Sequence, residues 1–262
     1  MEFNLKDKVF IVTGGAKGIG AAIVKALAAE NAIPVIVGRN EADNLLLLEE
    51  LTTAGNNAMQ VVAELMEPAQ CSNAVQQVLD RFGRIDGLIN NAGVNDGVGL
   101  ENGGYQPFVD SLHKNVIHYY LMAHHALPAL KTSKGVILNI SSKVADTGQG
   151  GTSAYAASNG ARNALTREWA VELLPFGIRV NAIIVAECFT PLYQKWINTL
   201  EHPEEKLAAI EGKIPFGQRM TTAEEIADTA VFLCSSRSSH TTGQLIYVDG
   251  GYVHLDRALN GG

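Results

Sequence analysis

Residues 9–20 read Val9-Phe10-Ile11-Val12-Thr13-Gly14-Gly15-Ala16-Lys17-Gly18-Ile19-Gly20. An apolar, β-branched run goes straight into glycines, and a helical pattern follows over Ile19–Glu30. A short apolar run without alternation reads as a strand buried on both faces. Gly14, Gly18 and Gly20 are spaced G-x-x-x-G-x-G. The first glycine permits a sharp turn out of the strand. The later ones let backbone approach a pyrophosphate and let the helix sit close to the sheet. Amides opening that helix would face the anion. A glycine pattern alone is weak, but this one lies between strand and helix, where the mechanism requires it.

Outward from that turn, strand-like and helix-like segments alternate to the end of the chain. Ile33–Val37, Ala58–Val62, Gly87–Asn90, Val136–Ile140, Arg179–Ile184 and Leu245–Val248 read as strands. Between them, Leu45–Ala54, Ser72–Phe82, Gln106–Leu130, Ala154–Leu174 and Ala223–Leu233 read as helices, the long one broken or ended near Pro128. This order predicts an α/β fold: one Rossmann-like doubly wound domain over residues 1–262 around a mostly parallel sheet. The stretch 191–221 interrupts the alternation. It reads as an irregular substrate-side insertion that folds over a ligand at the carboxyl end of a strand.

Composition narrows the class. The 262 residues carry 20 Lys and Arg against 27 Asp and Glu, a net charge of −7, with no long basic cluster, so a nucleic-acid partner is not expected. No apolar run is long enough to span a membrane. Cys71, Cys188 and Cys234 form no C-x-x-C pair, so neither a disulfide framework nor a structural metal is expected. The amino terminus lacks a secretory segment, which gives a cytoplasmic expectation.

About 20 residues past the glycine turn, a dinucleotide site discriminates NAD from NADP, with an acidic residue favouring the former. Here Gly38-Arg39-Asn40 stands instead. Gly38 would leave space, and Arg39 would offer a fork to a 2′-phosphate, with Lys17 as a second cation. Both favour NADP over NAD; Glu41 and Asp43 weigh the other way.

TGGAKGIG at 13–20, NNAG at 90–93, Asn115 in KNV, Ser142 in NISS, Tyr155 in YAASN and VDGG at 248–251 occur in this order. Asn181 and the TPL at 190–192 fit the same series. Along almost its full length the chain resembles the classical short-chain dehydrogenase/reductase family. That resemblance implies a seven-stranded parallel sheet, a homotetramer and NAD(P)-dependent hydride transfer. It implies that Tyr155 exchanges a proton with the substrate oxygen, that Ser142 holds that oxygen, and that Asn115 helps a water-linked proton route. It further implies cofactor contacts from Gly14, Lys17, Gly18, Ile19, Gly20, Arg39, Glu64, Leu65, Asn91, Ala92, Gly93, Tyr155, Asn159 and Thr190, with Asn90 shaping the sheet edge beside them.

Two departures stand out. The family carries a lysine one helical turn after the tyrosine, and this chain has Asn159. A phenol with an ordinary pKa of about 10 needs positive charge nearby to act as a base near neutral pH. Asn159 would still hydrogen-bond a ribose but brings no charge. Lys143, beside Ser142, is the candidate replacement. Arg162 shares the face of Tyr155 and reads as too distant. Three outcomes stay open: the charge has moved to Lys143, the enzyme is weakened, or the chain binds nucleotide without turnover. The second departure is Val185-Ala186-Glu187 where the family has Pro-Gly after the sixth strand.

Glu187 suits a polyol, whose hydroxyls it accepts. Asn95, Asp96, Lys143, Gln149, Glu187 and His240 form a polar candidate rim, with Asn95, Ser142, Lys143, Gln149, Tyr155 and Glu187 as the substrate set. Tyr193 and Trp196 offer an apolar face or lid. IPFGQRMTTAEEIADTAVFL, SSHTTGQLIYVDGGYVHLDRAL and AECFTPLYQKW resemble the bacterial L-fucose dehydrogenase branch of the family. That implies oxidation of the anomeric carbon of a small aldose such as L-fucose to the lactone. A ketone reductase or a dehydrogenase for another small alcohol is the alternative. The tail Gly251–Leu259 is expected to pack on a neighbouring subunit.

Overall fold

A computed structural model describes residues 2–256. One seven-stranded sheet runs in the order β3-β2-β1-β4-β5-β6-β7, and every neighbouring pair is parallel. The strands are β1 (Val9–Thr13), β2 (Ile33–Gly38), β3 (Met59–Val62), β4 (Gly87–Asn90), β5 (Val136–Ser142), β6 (Arg179–Val185) and β7 (Leu245–Val248). The helices are α1 (Gly18–Ala29), α2 (Glu41–Thr53), α3 (Pro68–Phe82), α4 (Tyr105–Leu112), α5 (His118–Ser133), α6 (Ser153–Glu172), α7 (Pro191–Ile197), α8 (Pro203–Glu211) and α9 (Ala223–Cys234). Among the described residues no helix is long and apolar enough to cross a membrane.

Alternate residues of one strand feed two separate cores. Val9 and Ile11 join Val75, Met122 and Leu130 from α3 and α5 on one side. Phe10 and Val12 join Ile23, Leu27, Ile226 and Val231 from α1 and α9 on the other. Covering both faces requires the apolar run to lack alternation, which is how β1 reads. Strand order reverses between β1 and β4, and that switch point opens a crevice at the carboxyl ends of the strands.

The elements differ from the sequence expectation in three places. Helices α2 and α3 begin earlier than their apolar pattern. Asn40 caps α2 by accepting from the Asp43 amide at 3.2 Å, and Pro68 opens α3 at its first turn. Exposed first turns carry no core periodicity. The long helix does not break at Pro128, which lies inside α5. A mid-helix proline costs about 3 kcal/mol, and burial of Met122, Ala126 and Leu130 on either side of it offsets that loss. The break falls instead at a π turn, His113–Ile117, between α4 and α5. Residues 191–221 are only partly irregular: they hold α7 and α8, each started by a proline at the first turn.

Candidate active site

The glycine turn forms a cradle. Gly14 takes φ +62° and Gly18 φ +55°. A Cβ on Gly20 would collide with the Gly14 carbonyl oxygen and lie 2.6 Å from Asn91 Nδ2. That amide donates to the carbonyls of Thr13 (2.9 Å) and Gly14 (3.2 Å), which locks the turn to the end of β4. Thr13 Oγ1 completes the tie by accepting from the Asn91 and Ala92 amides. No side chain caps α1, so its first-turn amides at Gly18–Gly20 open onto the cleft. The cleft encloses about 770 Å³, and Gly14, Lys17, Gly18, Ile19, Gly20, Arg39, Glu64, Leu65, Asn91, Ala92, Gly93 and Thr190 all line it. Its volume is that of a small-molecule site, and its uncapped helix start fits a pyrophosphate.

The cations of the rim are already partnered. Lys17 pairs with Asp43 at 2.7 Å and Arg39 with Glu64 at 3.5 Å. Both side chains are largely exposed, so these pairs are weak and exchangeable. Gly38 lines the cleft, and its missing side chain also serves packing behind it. A Cβ there would meet Asn44 Oδ1 at 2.6 Å, because Asn44 packs against that backbone and donates to the Gly38 carbonyl.

Ser142 ends β5, and Tyr155 lies in the first turn of α6; both residues line the cleft. Asn115 sits in the π turn and is fully buried. Its Oδ1 accepts from the Val94 amide at 2.8 Å and its Nδ2 donates to the Ser111 carbonyl at 3.0 Å, fixing the loop after β4. π turns recur at functional sites because they disturb the regular carbonyl ladder. The Asn115 carbonyl here accepts from Arg162 Nε at 2.7 Å.

Asn159 does not face the cleft, contrary to the expectation that it meets a ribose. It is fully buried, donates to the Tyr155 carbonyl at 2.8 Å and accepts from Arg162 Nη1 at 3.0 Å. A short amide one turn below Tyr155 finds those partners within its own helix. Arg162, which reads from the sequence as too distant, lines the cleft. Its long side chain leans back toward the start of α6, as helical side chains do. His118 also lines the cleft. Burial, and then the charge of Arg162, push its imidazole down to about 3.

Lys143 is buried and forms an ion pair with Glu187, while its ammonium lies 3.8 Å from the Tyr252 ring centre. That ammonium is therefore committed and is not a free replacement for the lysine. Tyr193 of α7 lines the cleft beside Glu187, and burial followed by that carboxylate raises its phenol. Trp196 stacks edge-on against Tyr193 at 5.0 Å. Asp96 lines the cleft and pairs with Lys114 at 3.2 Å. Lys143 and Glu187 flank the cleft without lining it, and Asn95, Gln149 and His240 are not brought to it. Exposed Asn95 accepts from the Gly97 amide of its own loop, and Gln149 is exposed before α6. His240 precedes β7, so it lies at the amino end of the sheet, opposite the cleft. The part of the expected tail contact beyond residue 256 lies outside the described residues.

A glycine cradle at the switch point, with a serine and a tyrosine across the cleft from it, defines a dinucleotide-dependent α/β oxidoreductase. Residues 14–253 match the family profile described as "Enoyl-(Acyl carrier protein) reductase". The chain belongs to the short-chain dehydrogenase/reductase family, which uses NAD(P). It is 34% identical to an L-fucose dehydrogenase of Rattus norvegicus over 93% of this chain and 88% of that one. It is also 34% identical to the 3-oxoacyl-[acyl-carrier-protein] reductase FabG of Thermotoga maritima, over 95% and 99%. A crystal structure of Cj0485 dehydrogenase superposes with a TM-score of 0.93 at 45% identity, covering 98% of both chains.

Proposed function

We propose that this oxidoreductase prefers NADP and oxidises the anomeric carbon of a small aldose such as L-fucose to the lactone. The observation that carries this reading is the ion pair of buried Lys143 with half-buried Glu187 beside the cleft. Lys143 follows Ser142 in sequence, and Ala186 and Cys188, on either side of Glu187, line the cleft. An acyl chain or a sterol needs an apolar wall there. A polyol gains from a carboxylate that accepts its hydroxyls and an ammonium that donates to them. The L-fucose dehydrogenase relative supports the same substrate class.

In this reading Gly14, Gly18, Ile19 and Gly20 hold the pyrophosphate through backbone amides, and Lys17 and Arg39 leave their acidic partners for the 2′-phosphate. Glu64, Leu65, Asn91, Ala92, Gly93 and Thr190 enclose the remainder. Bound dinucleotide supplies the hydride acceptor. Ser142 donates to the oxygen on the anomeric carbon, and Tyr155 takes its proton. Lys143 and Glu187 orient the ring hydroxyls. The protein is expected to act as a cytoplasmic homotetramer. Exposed Tyr105, Phe108, Ile117 and Tyr120 on and between α4 and α5 offer apolar surface for it.

The test follows reduced-nicotinamide absorbance with a panel of aldoses, other alcohols and a 3-oxoacyl thioester, each with both cofactors. Turnover of L-fucose or a related aldose is expected, with Glu187→Gln raising KM at least about tenfold, the scale of one lost charge-assisted hydrogen bond. Turnover confined to the thioester, which the FabG relative favours, overturns the aldose reading.

A further inference from the structure

Arg162 is 3% exposed, and among the described residues no carboxylate lies within ion-pair distance of it. A buried charge is costly unless its donors are satisfied. Here the donors are satisfied without the charge being cancelled. Nε donates to the Asn115 carbonyl at 2.7 Å. Nη1 donates to the Ile140 carbonyl at 3.1 Å and to Asn159 Oδ1 at 3.0 Å. The guanidinium carbon lies 4.3 Å from the centre of the Tyr119 ring. Gly93 leaves the room: a Cβ there would lie 2.7 Å from Nη2.

Tyr155, Asn159 and Arg162 share one stripe of α6, and the guanidinium is drawn back to Asn159, one turn from Tyr155. Among the described residues lining the cleft, the other titratable groups bring no free buried charge. His118 and Tyr119, at the start of α5, are held neutral by burial. Lys114 and Asp96 cancel, as do Lys143 and Glu187. Lys17 and Arg39 pair with Asp43 and Glu64 on the outer rim. Lys195, which also lines the cleft, is exposed.

We propose that Arg162 is the cation of this active site, held by Asn159 and the Asn115 carbonyl so that its charge supports proton transfer at Tyr155. The inference rests on the reading of Tyr155 as the proton acceptor in alcohol oxidation. The substrate hydroxyl proton passes to the phenolate as hydride leaves carbon for the bound dinucleotide, and Arg162 stabilises the phenolate form. Arg162 and Asn159 act through Tyr155 and are positioning residues.

The experiment compares wild type, Arg162→Leu, Asn159→Lys and Asn159→Lys/Arg162→Leu on the best alcohol found. It reads kcat and KM across pH, and cofactor affinity by calorimetry. Expected for Arg162→Leu is a loss of about 100-fold in kcat at neutral pH, the lower end of an acid–base contribution. Its rate should recover at higher pH, with KM and cofactor Kd within about threefold. The double variant should regain most of that loss, because it returns a cation to the same space. Asn159→Lys alone should gain nothing. Arg162→Leu retaining activity within threefold, or a folded double variant as weak as the single one, overturns the proposal. Where Arg162→Leu does not fold, the double variant decides alone: folded and active supports the proposal, folded and inactive overturns it. Activity on other alcohols but not on aldoses defeats only the substrate reading. A wild-type chain that binds dinucleotide yet turns over nothing overturns both.

Discussion

At the scale of single residues, the same chemical change has opposite consequences at two glycines. An Ala at 20 would drive its methyl into the Gly14 carbonyl and against Asn91 Nδ2. The carbonyl belongs to the turn and the Asn91 amide ties that turn to the end of β4, so neither yields without moving the cradle. Gly20→Ala should cost about 1–3 kcal/mol, the range of an overpacked site, and weaken dinucleotide binding at least tenfold. Gly160 lies inside α6 with nothing within 4 Å of its Cβ position. Gly160→Ala should stabilise by about 0.5–1 kcal/mol through helix propensity alone. Denaturant melts and calorimetric titration of both variants check the pair. An unchanged Gly20→Ala protein would remove the steric account of the turn. The sequence shows Gly20 because the strand–turn–helix context fixes its role. It does not show Arg162, because reach along a helix depends on rotamer and on what accepts the guanidinium. The accepting carbonyls belong to Asn115 and Ile140, far away in the chain.

At the scale of elements, apolar periodicity locates the buried middle of each helix, while its ends are set by polar chemistry. For α9 that chemistry is a capping box. Thr222 accepts from the Glu225 amide at 3.2 Å, and Glu225 accepts from the Thr222 amide at 2.9 Å. Arg219 adds a two-pronged contact to the same carboxylate. Arg219 first, then the Thr222 backbone, hold the Glu225 carboxyl down at about 2, against an ordinary 4.5. A depressed folded value means the stabilisation is complete above 4.5 and disappears as pH falls toward 2. Glu225→Gln should therefore be less stable than the parent at pH 7, and the two should converge toward pH 2. Urea midpoints taken from pH 7 downward read this directly; a constant gap would show that the carboxylate charge contributes nothing. The π turn between α4 and α5 has no such polar signature. It arises where Asn115 binds both the Val94 amide and Arg162, contacts that only the assembled fold supplies.

At the scale of the whole molecule, the doubly covered sheet was readable from the first strand onward, since unbroken apolar runs leave no face for water. In the proposed reading, the choice of dinucleotide is made at the exposed rim, where Lys17 and Arg39 sit in exchangeable pairs with Asp43 and Glu64. A ligand that binds only the folded chain stabilises it by mass action, by about 2.7 kcal/mol at a concentration 100 times its Kd. Each tenfold difference in Kd between two cofactors is worth about 1.4 kcal/mol at equal saturating concentration. For a chain of this size that separates melting points by roughly 3–6 °C. NADP should therefore raise the melting temperature more than NAD does. Because a 2′-phosphate would meet cations that are largely in water, the gap should narrow as salt shortens the screening length from about 10 Å at 0.1 M to about 3 Å at 1 M. The Arg39→Ala protein should show little gap at any salt. A larger shift with NAD, or a gap that ignores both salt and Arg39, would place cofactor choice somewhere other than this rim.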